Sequence, residues 1–211
     1  MKQDNGIVLE RIKVEQATVF IEGTSDLVLN KMNARNVRAL IAEDRKKIRE
    51  VPNQWEDVIT AINWRDPLPF QDTYKECTQE AMLKLLKTNA PCISAFGLKK
   101  SFGQAVTRNE IDKYSTKFDN AVNISANMGL VPITFTSWCI DERLMSPKRG
   151  APITVRLNHF SGWKANFVIN YTEHVYSLDQ IVNIINLAGF GLGIGSGRTS
   201  GYGRYKVVDI K

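Results

Sequence analysis

Apolar positions recur along this chain with two periods, helical and strand-like, and the two alternate from one end to the other. Gln16 to Glu22 (QATVFIE) is β-branched and aromatic and predicts a strand. Gly23-Thr24-Ser25-Asp26 breaks it with turn residues, and Leu27 to Leu29 resume apolar character. Asn33 to Glu50 carries a helical stripe of Val37, Leu40, Ile41 and Ile48, with Asn33 placed to cap it and Pro52 to end it. Gln54 to Asn63 fits a short helix or a strand equally, and Asp66 to Pro69 is an extended connection. Thr78 to Lys87 predicts a helix with Met82, Leu85 and Leu86 inward. Cys92 to Val106 predicts another, capped by Ser94 and carrying Phe96, Leu98, Phe102 and Val106. Gly97 and Gly103 weaken that helix by about 1 kcal/mol each relative to alanine, unless they permit a close packing contact.

The second half is richer in strands. Residues 107–120 are polar and predict a loop with a helical turn. Ala121 to Ala126 and Val131 to Ile140 predict strands around Asn127-Met128-Gly129. Asp141 to Gly150 predicts a polar excursion with Lys148 and Arg149 at its tip. Ala151 to His159 and Trp163 to Thr172, joined by Phe160-Ser161-Gly162, predict a hairpin. Ser177 caps a last helix that carries Leu178, Ile181, Val182, Ile184, Ile185 and Leu187, with Gly189 as its stop. Tyr205 to Ile210 predicts a terminal strand, and residues 1–15 a frayed start or a short strand at Ile7 to Leu9. This order is that of an α+β fold. It fits the ferredoxin-like β-α-β-β-α-β arrangement, an antiparallel sheet with helices on one face. The expectation is a single domain over 1–211 with a helical insertion at about 31–120.

Composition adds a core and a charge bias. The chain has 211 residues, 43% hydrophobic and 24% charged, enough apolar material for a real core. A net charge of +6 and a pI of about 9.2 tilt it towards a polyanionic partner. The basic face of the Asn33–Glu50 helix, with Arg35, Arg38, Arg45, Lys46, Lys47 and Arg49, reads as a solvated face or as a nucleic-acid face. Trp55 and Trp64 read as core or loop-pinning residues rather than base-stacking ones. Cys77, Cys92 and Cys139 stand far apart, which suggests reduced, mostly buried thiols and a cytoplasmic setting. The polar start MKQDNGIVLERIK shows no secretory signal, and no apolar run approaches the roughly 20 residues of a membrane helix.

The segment from Gly189 to Tyr205 holds seven of the 14 glycines: Gly189, Gly191, Gly193, Gly195, Gly197, Gly201 and Gly203. Its only charged side chains are Arg198 and Arg204, with Tyr202 between them. Amides, two guanidiniums and a ring can form a cradle for a phosphate and a base, or the loop can be merely flexible. No P-loop is present here, because no lysine follows a glycine in the G-x-x-x-x-G-K-[ST] spacing. The order helix, glycines, strand also excludes a Rossmann turn.

Three stretches resemble the RAMP superfamily, the modified RRM or ferredoxin-like proteins that form backbone subunits of CRISPR effector complexes. Gly193 to Arg204 (GIGSGRTSGYGR) is similar to that family's C-terminal glycine-rich loop. Ile93 to Ser101 (ISAFGLKKS) resembles its I-P-G-[ST]-[ST]-[LI]-[KR]-G segment, with the proline and final glycine missing. Phe20 to Leu27 resembles its first strand and turn. Residues Ala151 to Ile210 also resemble proteins of phage and prophage genomes. The resemblance implies RNA or single-stranded DNA held along a basic groove, with protomers side by side or within a related protein complex, in a bacterial or phage-infected cell. It points to Lys99 and Lys100, to Arg198, Tyr202 and Arg204, and to the backbone of Gly193, Gly195, Gly197, Gly201 and Gly203. Lys148 and Arg149 join these as basic candidates for nucleic-acid binding.

Candidate chemistry is sparse, and no cofactor or metal is expected. His159 and His174, the only histidines, have no second ligand at zinc spacing. Some RAMP ribonucleases use a histidine as general acid or base, and some RNA-cutting subunits carry an aspartate near Asp26. Asp141 with Glu142 offers a weak Mg²⁺ pair. The preferred reading is a non-enzymatic binder of single-stranded nucleic acid, RNA rather than DNA. The alternatives are a phage protein-interaction module that mimics or occupies a CRISPR backbone position, and a metal-independent endoribonuclease.

Overall fold

The strand read at Gln16 to Glu22 is the middle of β1 (Val14–Gly23), which pairs antiparallel with β10 (Tyr205–Ile210) on one side and β9 (Lys164–Thr172) on the other. The computed structural model describes residues 12–41, 52–68, 72–145 and 153–211. Alternate residues of β1 and β9 are buried: Ala17, Val19 and Ile21 lie opposite Ile169, Phe167 and Ala165. That period of two buries one face of the sheet. Beyond β9 the sheet forks. β5 (Val122–Ser125) pairs with the second half of β9 and β6 (Leu130–Thr134) with its start. From β6 the sheet continues through β4 (Pro91–Ser94) to β3 (Asn63–Trp64).

Two helices, α4 (Ala95–Arg108) and α6 (Leu178–Gly191), pack on the buried face and on each other. Phe102 of α4 meets Phe167 of β9 at 6.0 Å between ring centroids. Both helices start on the caps read in the sequence. The Ser94 side chain accepts from the Gly97 amide, and Ser177 forms a capping box with Gln180. The order β10-β1-β9 followed by β5 or β6, with α4 and α6 on one face, is the ferredoxin-like arrangement. Gly103 brings α4 against α5 (Thr116–Ala121): a Cβ there would lie 3.0 Å from Asp119 Oδ1. Gly189 does not stop α6, which runs two residues further. Its missing Cβ would lie 2.2 Å from the Tyr205 carbonyl, so this glycine lets α6 lie on β10.

A second, three-stranded sheet corrects three sequence expectations. It consists of β2 (Leu27–Leu29), β8 (Ile153–Ser161) and β7 (Ser137–Met145), all antiparallel. Val131 to Ile140 is not one strand: the chain breaks at Phe135-Thr136 and changes sheets. Asp141 to Met145 is not a polar excursion but the second half of β7. The expected hairpin over Ala151 to Thr172 does not form, since β8 and β9 lie in different sheets and β7 is the partner of β8. Gly162 (φ 61°) makes that second sheet change possible, as a Cβ there would lie 2.4 Å from Thr136 Oγ1.

The chain between the two sheets is helical. Asn33 caps α1 (Ala34–Ile41), its side chain accepting from the Asn36 amide; the rest of that predicted helix, including Arg45, Lys46, Lys47 and Arg49, falls outside the described residues. Gln54 to Thr60 is a helix, α2, capped by Asn53. Thr78 caps α3 (Gln79–Thr88), and its Met82 and Leu86 are buried. Trp64 is buried and donates to the Ile59 carbonyl at 2.9 Å, while Trp55 packs on the core. Of the cysteines only Cys92 is buried; Cys77 is half-buried and Cys139 is exposed, against the expectation of mostly buried thiols. The exception follows from the correction above, because Cys139 lies on β7, an edge strand. No described helix is long and apolar enough to cross a membrane.

Candidate nucleic-acid interface

The glycine-rich segment leaves α6 at Leu192 and folds onto the β1–β2 turn and the small sheet. Ser196 N–H donates to the Val28 carbonyl at 2.8 Å and Gly203 N–H to the Asp26 carbonyl at 2.7 Å. The two arms of the loop meet where Ile194 N–H donates to the Gly203 carbonyl at 3.0 Å. Only glycine fits there: at φ 69° a Gly203 Cβ would stand 1.9 Å from the Ile194 carbonyl oxygen. The amides of Gly193, Gly201 and Gly203 are therefore taken up within the protein. Those of Gly195, Gly197, Arg198 and Thr199 have no acceptor among the described residues.

On its outer side the loop forms one wall of a concavity of about 240 Å³. The other walls are the end of β2, the β4–α4 junction and Lys31. Ser94, Gly97 and Lys100 thus come to lie beside Gly195 and Arg198, although about 100 residues separate them. Arg198 also lines a second concavity, of about 290 Å³, with Gln104, Arg108, Gly191, Leu192, Thr199 and Arg204. Neither lining contains a carboxylate. Lys31, Lys100, Arg108, Arg198 and Arg204 have no carboxylate partner among the described residues. Burial lowers the pKa of Lys31 from the ordinary lysine value, a cost that an adjacent phosphate would offset. Burial pushes the Cys92 thiol up to about 11, so this groove residue stays a neutral thiol rather than a nucleophile.

The chain is similar to a subunit of an RNA-bound assembly. The match is to a chain of the cryo-EM structure of the type III-B Cmr-beta bound to cognate target RNA, at 13% identity and a TM-score of 0.51. It covers 94% of this chain and 60% of that one. Cmr6 from Pyrococcus furiosus aligns over 94% of this chain and all of its own, at 9% identity and a TM-score of 0.41. No family model and no curated protein matches the sequence. At this identity the first likeness is one of fold alone, and it agrees with the ferredoxin-like arrangement.

The structure sorts the remaining candidates. Lys99 and Lys100 part company: Lys99 Nζ donates to Asn123 Oδ1 at 2.6 Å and does not line the groove. Lys148 and Arg149 lie outside the described residues. Tyr202 lines neither concavity. Its hydroxyl accepts from Arg143 Nη2 at 2.7 Å, and its ring meets His159 edge-on at 5.1 Å. His159 in turn has Asp141 Oδ2 3.3 Å from Nε2 and Asp26 Oδ2 4.0 Å from Nδ1. Asp26 Oδ1 accepts from Ser161 Oγ at 2.7 Å. Two catalytic candidates, Asp26 and His159, are thus together, but the His159 Nε2 is buried beneath Tyr202. His174 is exposed beyond the far end of β9, roughly 30 Å along a nine-residue strand from the Ser161 end. Asp141 and Glu142 face opposite ways on β7, held by Arg143 and Arg156. No cluster of three metal-ligating residues occurs among the described residues. Lys31 and Arg108 escape sequence reasoning, since one follows a short strand and the other ends a helix, both ordinary places for a cation.

Proposed function

We propose that this protein binds single-stranded nucleic acid, RNA in preference to DNA, without cutting it. The strand runs over the groove bounded by the glycine loop and the start of α4. Lys31, Lys100, Arg198, Arg204 and Arg108 neutralise successive phosphates, and the open amides of Gly195, Gly197, Arg198 and Thr199 add donors. The observation that carries this reading is the convergence of these cations on linings that hold no carboxylate. The RNA bound in the similar type III-B structure supports the choice of ligand. Burial of His159 Nε2 favours holding over cleavage, because a general base must reach the hydroxyl it deprotonates. Protomers sit side by side along the strand or within a related complex. Phe96, next to the groove residue Gly97, and Phe190, next to Gly191, are 75% and 85% exposed and offer apolar surface that a neighbouring protein would cover.

The test is fluorescence anisotropy with a labelled single-stranded RNA over a salt series. The expected log–log slope is roughly −3.5, from about −0.7 for each of the five phosphate contacts. A DNA of the same sequence binds more weakly, and Arg198→Ala/Arg204→Ala loses most of the affinity. Absence of binding at low salt, or equal binding by the double variant, overturns the reading.

A further inference from the structure

The concavity between α4 and the glycine loop is more than a length of basic groove. Arg108, Arg198 and Arg204 line it together, and nothing in the lining has negative charge. Arg204 Nη1 is buried with no hydrogen-bond partner among the described residues. Its Nη2 reaches only the Arg198 carbonyl, at 3.4 Å. A half-buried guanidinium with one nitrogen enclosed in this way lacks the acceptor that its planar fork is built for. Beside it, Gly197 is left-handed (φ 69°) and the chain then enters the 3-10 turn Arg198–Ser200. A left-handed residue followed by a helical one turns consecutive amides to one side, the arrangement that receives an anion. The amides of Gly197, Arg198 and Thr199 have no acceptor among the described residues. Three guanidiniums lining one small hollow, with open amides beside them, suit a group with more than one negative charge.

We infer that Arg108, Arg198 and Arg204 form a site for a phosphomonoester dianion, and that the protein uses it to hold the phosphorylated end of a nucleic-acid strand. An internal phosphodiester has one charge to set against three guanidiniums. A terminal monoester carries close to two at neutral pH, and a third oxygen able to accept. The strand would therefore enter by its end, with the adjoining nucleotides passing Arg198 towards Lys100 and Lys31. This inference rests on the nucleic-acid reading for the source of the phosphate, and on the hollow alone for the phosphate itself.

Three versions of one short RNA separate the two: 5′-phosphate, 3′-phosphate, and hydroxyl at both ends. One phosphorylated form should bind roughly tenfold more tightly than the unphosphorylated form, the extra bidentate charge-assisted contact supplying the difference. Arg108→Gln, a change at an exposed helix end, should bring that ratio close to one. In a parallel measurement, inorganic phosphate should raise the melting temperature of the wild type above that in sodium chloride of equal ionic strength, and not that of Arg108→Gln. If phosphate stabilises the protein in this way but no RNA binds, the site stands and the nucleic-acid reading falls. If all three RNAs bind alike and phosphate does no more than chloride, the site is overturned while the groove remains. A ratio that survives in Arg108→Gln also overturns it.

Discussion

Two sets of arginines lie on opposite fates in this molecule. On α1, Arg35 grips Asp57 of α2 through two hydrogen bonds of 3.0 Å, and Arg38 Nη2 stands 2.8 Å from Glu56 Oε1. Both carboxylates are buried, and Asn33 adds a third bond to Asp57. These cations hold two helices together, and their charge is spent there. Around the glycine loop, Arg198, Arg204 and Arg108 line a hollow with no carboxylate at all. The two sets read alike in the sequence, as basic residues on a helix or in a loop. What distinguishes a structural arginine from one available to a ligand is the counter-charge that the fold brings to it.

The sharpest way to break this contrast is to remove the loop's shape. Gly203→Ala places a Cβ on the Ile194 carbonyl, so a loss of about 3 kcal/mol or more in unfolding free energy is expected, together with loss of RNA binding. Gly201→Ala meets nothing within 4 Å and suffers only its left-handed conformation (φ 86°), about 1 kcal/mol. Arg35→Ala strands a buried carboxylate and should cost about 2–3 kcal/mol in denaturant unfolding, with RNA affinity unchanged. Arg198→Ala should show the converse, a fall in RNA affinity of about tenfold, or about 1.4 kcal/mol, with unfolding shifted by less than about 0.5 kcal/mol. Equal effects of both substitutions on both measurements would erase the distinction. The smallest effect sharpens it: Lys100→Ala should lower the salt slope by about 0.7, and Lys99→Ala should leave it unchanged, because Lys99 is already bound to Asn123.

Much of the fold was legible in the chain because it is local. The caps at Ser94 and Ser177, the alternation in β1 and β9, and the apolar stripe of α6 are each set by neighbours a few residues away. What was not legible is which sheet a strand joins. Val131, Ile133 and Phe135 alternate as one strand would, yet Phe135 turns away to pack on Phe160 at 5.0 Å and the next strand, with its apolar residues shifted to Trp138 and Ile140, lies in the other sheet. The glycine at 162 resembled a hairpin turn because a sheet change needs the same backbone freedom. Gly189 sat where a helix stop belongs, and only the position of Tyr205 reveals its packing role. The site divides along the same line. Arg198, Arg204 and Lys100 came with recognisable segments, whereas Lys31 and Arg108 gain meaning only from the walls they share. Tyr202, the stacking ring of the sequence reading, is instead wedged between Arg143 and His159.

The central claim is that the open amides and unpaired cations beside the glycine loop receive a polyanion while the arginines of α1 do not. Amide hydrogen exchange, followed with and without a single-stranded RNA, tests it directly. Exchange at Gly195, Gly197, Arg198 and Thr199 should be fast in the free protein, where these amides lack acceptors among the described residues, and slow on RNA addition, with Ala34 to Ile41 unaffected. Exchange unchanged at these four amides, or slowed over 34–41 instead, would contradict the account.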